Sequence, residues 1–109
     1  MIHATIRMTF PVQKANEAVK ILGSVAERTR VQPGCISCRV YHDVRQQQVI
    51  MIEEVWKSQE DLDQHLRSAE YRDVLLVVEM AQEEPEIKFN AFSESSGIET
   101  IEKARSHGR

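Results

Sequence analysis

The sequence has few of the residues that define several protein classes. Its 109 residues contain only four glycines and three prolines, which excludes collagen-like and linker-like chains. Two cysteines are too few for a disulfide-stapled scaffold. No apolar run approaches the roughly 18 residues that a membrane-spanning helix requires. With 14 basic and 17 acidic residues the net charge is −3, so we expect neither a nucleic-acid partner nor a membrane partner.

Two further expectations concern the compartment and the number of domains. The first residues lack the basic start and the apolar stretch of a signal peptide, so we expect a cytoplasmic protein. Hydrophobic residues make up 41% of the chain, which is enough for a core, and the length fits one domain.

The apolar pattern alternates between strand and helix periods. The first strand carries apolar residues at every second position from Ile2 to Phe10, and an amphipathic helix follows from about Gln13 to Arg30. Two strands joined by a hairpin, one or two helices and a fourth strand complete the order β-α-β-β-α-(α)-β. This order predicts the ferredoxin-like α+β fold, an antiparallel sheet with its helices on one face.

The third strand is apolar on both faces, unlike the first. An antiparallel strand of this kind is covered on both sides, and the helices can cover only one. We therefore expect a second copy of the chain to cover the outer face, which would make the protein a homodimer. The two apolar sets are Val49, Met51 and Val55 on one face and Ile50, Ile52 and Trp56 on the other.

The segment Cys35-Ile36-Ser37-Cys38 has the C-x-x-C spacing of redox and zinc sites. In a regular strand, residues three apart point to opposite faces, so the two thiols are not expected to pair or to share a metal. We interpret both cysteines as reduced, small apolar residues.

The four histidines are scattered and show no metal-ligand spacing, so we expect no metal site. His65 is the most interesting of them because it lies between Leu62 and Leu66, close to the inner face of a short helix. A histidine in this position is either a packed structural residue or a functional one.

Glu54 and Trp56 share one face of the third strand. A carboxylate beside an indole on an apolar face is unfavourable unless it has a partner. The pair is either a lid on the core, with Arg39 or Arg72 as partner, or part of a small pocket. Arg72, in the first turn of a later helix, is either a surface residue or a cation of that pocket.

Several catalytic motifs are missing: there is no G-x-S-x-G, no P-loop and no G-x-G-x-x-G. We therefore expect no flavin or nicotinamide cofactor.

Several segments form a pattern in a fixed order along the chain. They are Pro33-Gly34-Cys35-Ile36-Ser37, Tyr41, Glu54-Val55-Trp56-Lys57-Ser58, Leu62 and His65-Leu66-Arg67-Ser68. Taken together, these segments resemble the antibiotic biosynthesis monooxygenase (ABM) family. The resemblance covers about Met1 to Ser95, so we divide the chain into an ABM-type domain over residues 1–95 and a tail over 96–109, with a short helix.

The resemblance implies a protomer that pairs with a second copy through its sheet to form a dimeric α+β barrel. It also implies oxidation of a small phenol, quinol or related aromatic with O2 and without a cofactor. Carried onto this sequence, it implies Trp56 as a pocket wall, His65 and Glu54 as base or hydrogen-bond partners, and Arg72 as a cation. We expect the catalytic residues His65, Trp56 and Arg72 and the substrate-binding residues Glu54, Ile52, Tyr71 and Ile6.

The sequence departs from two branches of the family. Ile52 stands where the polyketide-oxidising branch has an asparagine. The haem-degrading branch needs an asparagine on the first strand and a later histidine, and residues 69–81 contain no histidine. A non-catalytic ligand-binding or stress-response module and an oxygen-independent isomerase stay open as alternatives.

Overall fold

The computed structural model describes residues 1–107, which form four strands and four helices. Their order along the chain confirms the predicted alternation, and the bounds of the first strand and the first helix lie within one residue of the predicted ones. The elements are β1 (Ile2–Thr9), α1 (Val12–Thr29), β2 (Cys35–His42), β3 (Val49–Trp56), α2 (Gln59–Leu66), α3 (Tyr71–Met80), β4 (Glu86–Ala91) and α4 (Ile98–His107).

The four strands form one antiparallel sheet in the order β2-β3-β1-β4. This is the strand order of a ferredoxin-like fold, so the predicted fold class is confirmed. In the register of β1 and β3, Ile6 lies opposite Ile52 and Ala4 lies opposite Glu54. Residues directly opposite each other in an antiparallel pair share a face, so these four side chains point toward the same side of the sheet.

The core lies between that side of the sheet and helices α1 and α3. Burial alternates along β1 as the period of two predicts. The buried residues of the main cluster are Ile6, Met8, Phe10, Ala18, Leu22, Val25, Ala26, Cys38, Ile50, Ile52, Val74 and Val77.

The turn before β2 depends on a glycine, as the Pro33-Gly34 pair predicts. Gly34 has φ of 82°, a conformation that side chains with a Cβ rarely adopt. Its carbonyl oxygen accepts a hydrogen bond of 2.9 Å from the Lys57 amide. The turn thereby holds the start of β2 against the end of β3.

A β-bulge at the start of β2 changes which side chains face the core. The register shifts between Cys35 and Ser37, so that Cys35 lies opposite Trp56 and Cys38 lies opposite Glu54. The prediction that the two cysteines point to opposite faces is therefore wrong, because one extra residue restores the same side for both. The extra residue, Ile36, is 44% exposed.

Tertiary packing decides which residues of α3 are buried. Val74 and Val77 are buried, whereas Leu75 is exposed. Just before this helix, the Ser68 hydroxyl donates to the carbonyl oxygen of His65 at 2.7 Å. Ser58 caps α2, since its side chain accepts from the Asp61 amide.

The C-terminal part of the described chain is open to solvent. All six residues of β4 are exposed, and so are the side chains of residues 93–106. The last two residues of the predicted tail lie outside the described residues. Among residues 1–107, no helix is both long and apolar enough to cross a membrane.

Candidate active site

The centre of the candidate site is the carboxylate of Glu54 on β3. This residue is only 5% exposed, and its strand neighbours are Ala4 on β1 and Cys38 on β2. A buried carboxylate is stable only with hydrogen-bond partners. One oxygen, Oε1, accepts from Nε1 of Trp56 at 2.9 Å, and the other, Oε2, lies 3.2 Å from Nε2 of His65. The partners are thus Trp56 and His65, not the arginines considered from the sequence.

Helix α2 brings His65 to this carboxylate. Ser58 caps the helix through the Asp61 amide, and Leu62 and His65, three residues apart, fall on its buried face. The His65 ring stacks on the Trp56 indole with ring centres 4.7 Å apart and an angle of 29° between the planes. Stacking on one side and the carboxylate at its edge fix the orientation of the imidazole.

The other ring nitrogen of His65 has a partner that no sequence motif indicates. Nδ1 lies 2.9 Å from Oε1 of Gln32, and Nε2 of the same amide donates to the carboxylate of Glu70. Gln32 precedes the turn at Pro33-Gly34, and Glu70 precedes α3. Residues in the connections between elements show no apolar periodicity. Of the two, only Gln32 has a signal in the sequence, because it lies beside the Pro33-Gly34 turn.

A small apolar cleft opens at Glu54. Its lining residues come from three strands of the sheet and from the first residue of α3. They are Ala4, Ile6, Ile52, Glu54, Tyr71 and Phe89. Tyr71 meets the His65 ring edge to face, with ring centres 5.1 Å apart. Burial, and secondarily the negative charge of Glu54, raises the pKa of Tyr71 to about 12, so its hydroxyl keeps its proton at neutral pH.

The structure brings together six of the seven expected site residues. Glu54, Ile52, Tyr71 and Ile6 line the cleft. Trp56 donates a hydrogen bond to the carboxylate, and Nε2 of His65 lies 3.2 Å from its other oxygen. The seventh residue, Arg72, is exposed on α3 and contributes no hydrogen bond or ion pair to this cluster among residues 1–107.

The two cysteines lie next to the site. Both thiols have a raised pKa, mainly because of burial and then because of the negative charge of Glu54. The pKa of Cys38 rises to about 12. A thiol that keeps its proton is a poor nucleophile, so these residues fill space beside the carboxylate and do not act as thiolates at neutral pH.

The chemistry that this arrangement offers is proton transfer. A carboxylate in contact with an imidazole borders an apolar cleft, and Tyr71 lines the same cleft. Within residues 1–107, no group of three or more histidine, cysteine, aspartate or glutamate side chains is placed to hold a metal ion.

Comparison with protein families gives a match over most of this framework. The model of the family described as antibiotic biosynthesis monooxygenase matches residues 1–75, from β1 through the first half of α3. The chain belongs to the ABM family. The matched range contains five of the six residues lining the cleft, together with Trp56, His65, Gln32 and Glu70.

Solved structures share the ABM fold at low sequence identity. A conserved protein from Methanosarcina mazei Go1 is 27% identical, with a TM-score of 0.77 over 84% of this chain and 92% of its own. A protein from Deinococcus radiodurans is 19% identical, with a TM-score of 0.82 over 90% and 98%. A third structure, named antibiotic biosynthesis monooxygenase, is 16% identical, with a TM-score of 0.77 over 86% and 100%. The search of curated proteins gave no match.

Proposed function

We propose that this ABM protein is a monooxygenase that oxidises a small phenol or quinol with O2 and needs no cofactor. The observation that carries the proposal is the Glu54 carboxylate, which is buried, held by a hydrogen bond from Trp56, in contact with Nε2 of His65 and next to a small apolar cleft. The family assignment supports the same reaction class.

The first step is removal of the substrate hydroxyl proton by Glu54. The cleft has a volume of about 10 Å³, room for about one water molecule, so a phenol ring enters only when the aromatic side chains that line the cleft move aside. The ring then lies against Ile6 and Ile52, and its hydroxyl donates to the carboxylate. His65 shares the proton that the carboxylate receives, and the Tyr71 hydroxyl donates to the phenolate oxygen. Because the cleft is apolar, the anion is poorly hydrated and its electrons are more available to O2.

The oxidation then needs no metal or flavin, because the phenolate itself is the reductant. Electrons pass from the ring to O2, and one oxygen atom forms a bond to a ring carbon that carried hydrogen. The O–O bond breaks, and the second oxygen atom leaves as water with the ring hydrogen and the hydroxyl proton. A phenol and one O2 thus give one quinone and one water.

We also propose that the protein is a homodimer paired through the outer face of its sheet. Val49 is buried, and Met51 and Val55 are half-buried, on the side of β3 that faces away from the helices. A second sheet would remove these side chains from water, and the family resemblance implies the same pairing. A small aromatic substrate, a cytoplasmic location and the division of the chain at residue 95 stay predictions.

Oxygen uptake with a panel of phenols and hydroquinones tests the proposed reaction. We expect uptake by the wild-type protein and one ¹⁸O atom from ¹⁸O2 in each quinone formed. Glu54→Gln should lower the rate by about 100-fold or more, since it removes the base. Glu60→Gln changes an exposed glutamate on α2 and should leave the rate unchanged.

Two other outcomes would overturn the monooxygenase proposal in favour of the alternatives. Turnover of a panel compound at the same rate without O2 would indicate an isomerase. Binding of a phenol without turnover, in the presence of O2, would indicate a ligand-binding module.

A further inference from the structure

Four side chains in successive polar contact lead from the protein surface to the cleft. The series begins at the half-buried Glu70, continues through Gln32 and His65, and ends at Glu54. The four residues come from two connections, one helix and one strand, and span 38 positions of the sequence. The donor and the acceptor of each contact in this series follow from the groups that can only accept or only donate.

Glu70 fixes the orientation of the Gln32 amide. A carboxylate accepts hydrogen bonds, so the amide nitrogen of Gln32 faces it, and the amide oxygen faces His65. The opposite orientation would place two acceptor oxygens against each other. Glu70 directly precedes α3, where the helix N-terminus stabilises negative charge.

The orientation of Gln32 in turn fixes a proton on His65. Its Oε1 atom can only accept, so Nδ1 of His65, 2.9 Å away, carries hydrogen. A neutral imidazole has one N–H, so Nε2 is then left with its lone pair. This lone pair faces Oε2 of Glu54 at 3.2 Å. Two acceptors then face each other in a buried place, a contact that is unfavourable until a proton lies between them.

The contact between Nε2 and Oε2 is a hydrogen bond only when a proton lies between them. Glu54 Oε1 already accepts from Trp56, so the second oxygen and the imidazole nitrogen form the place where an added proton is held. The other tautomer, with hydrogen on Nε2, would already donate to the carboxylate and leave less capacity to accept.

We propose that Gln32 and Glu70 are positioning residues that hold His65 with hydrogen on Nδ1, so that Nε2 and Glu54 together receive the substrate proton. The role of Nε2 and Glu54 in receiving the substrate proton rests on the proposed function. In that step the substrate O–H bond breaks, its electron pair stays on the substrate oxygen, and the proton comes to lie between Oε2 and Nε2.

The ¹⁵N chemical shifts of the histidine ring nitrogens in the full chain test the tautomer directly. The wild-type protein should show hydrogen on Nδ1 of His65, with His65→Gln used to assign the resonances. In Glu70→Gln the new amide can donate to Gln32, which allows the Gln32 amide to turn. We expect hydrogen to move to Nε2 in this variant and not in the control Glu60→Gln.

A second variant separates positioning from general structure. Gln32→Leu removes the acceptor at Nδ1 without touching the cleft, so the ring should also move its hydrogen to Nε2, toward Glu54. Wild-type His65 with no hydrogen on Nδ1, or an unchanged tautomer in both variants, would overturn the proposal.

Kinetics then connect the tautomer to turnover. We expect kcat of Glu70→Gln to fall by about tenfold or more while KM is unchanged, because the residue does not contact the substrate. The tautomer is measured without substrate. If it shifts as expected but no phenol is oxidised, the positioning role stands and the proposed reaction fails; if oxidation is unaffected by the shift, the positioning role in catalysis fails.

Discussion

Glu54 and His65 face each other across 3.2 Å in a part of the molecule from which solvent is almost absent. The two side chains come from β3 and α2, which are joined by the short connection at Ser58. Each has a second partner, Trp56 for the carboxylate and Gln32 for the imidazole. These two partners hold the pair in place within the protomer.

Glu54→Gln and Glu54→Leu should differ strongly in stability. The glutamine oxygen can accept from Trp56 and its amide can donate to Nε2 of His65, so the free energy of unfolding should change by less than about 1 kcal/mol. Leucine leaves both partners buried without a hydrogen bond, and we expect a loss of about 2–5 kcal/mol. Urea unfolding measures both. Equal losses in the two variants would contradict the assigned hydrogen bonds.

Stability should decrease in alkaline solution because of Tyr71 and Cys38. Their pKa values rise from 10.0 and 9.0 to about 12 in the folded protein, so the unfolded chain releases these protons first. The stabilisation is complete below the unfolded pKa values and is lost as pH rises toward 12. The slope per group is at most about 1.4 kcal/mol for each pH unit.

Tyr71 also gives a spectroscopic check on the charge of Glu54. In Glu54→Gln the pKa of Tyr71 should fall, because the nearby negative charge is removed, and it should stay above 10.0 because burial remains. Ultraviolet titration of tyrosinate in wild type and variant measures the difference. An unchanged titration would mean that Glu54 carries no charge near Tyr71.

Gly34→Ala should destabilise the protein and displace the site. The residue has positive φ, and an added Cβ would overlap the carboxylate of Asp61, which takes part in the Ser58 cap of α2. We expect the free energy of unfolding to fall by about 1–3 kcal/mol. Any activity that depends on His65 should also fall. Thermal or urea unfolding measures the stability.

Gly23→Ala is the matched control for this substitution. The position lies inside α1, and nothing is within 4 Å of the added Cβ. Alanine should stabilise the helix by about 0.5–1 kcal/mol. A similar loss at both glycines would show that the turn at Gly34 has no special role.

Val55→Lys should weaken the proposed homodimer. Val55 is half-buried on the outer face of β3, opposite His3 of β1 and Ser37 of β2, at the centre of the proposed interface. We expect wild type to sediment as a dimer and the variant to dissociate at micromolar concentration. Val44→Lys, in the hairpin loop at 93% exposure, introduces the same charge and should stay dimeric. A monomeric wild-type protein would refute the interface.

Local patterns were sufficient to predict the elements of this fold. Strand β1 and helix α1 each bury one regular face, and the Ser58 cap and the Gly34 turn follow from the conformational preferences of single residues. The bulge at Ile36 has no comparable signal, since it depends on how β2 pairs with β3. The same holds for α3, where tertiary packing selects Val77 and leaves Leu75 exposed.

The candidate site was predictable to the extent that it lies within elements. Two residues apart on a strand, Glu54 and Trp56 had to share a face, and their hydrogen bond follows from that geometry. Gln32 and Glu70 lie in connections, and they meet only because the sheet and helices fold around them. No spacing in the sequence encodes such a contact.

The stacking of Trp56 on His65 gives the site a fluorescence signal of its own. Trp56 is the only tryptophan of the chain and is fully buried, so all indole emission comes from this one position. A protonated imidazole in contact with indole quenches its fluorescence, whereas a neutral one does so weakly. The emission intensity of the unlabelled protein should therefore follow the arrival and departure of the proton at His65, which allows that event to be timed in a stopped-flow instrument.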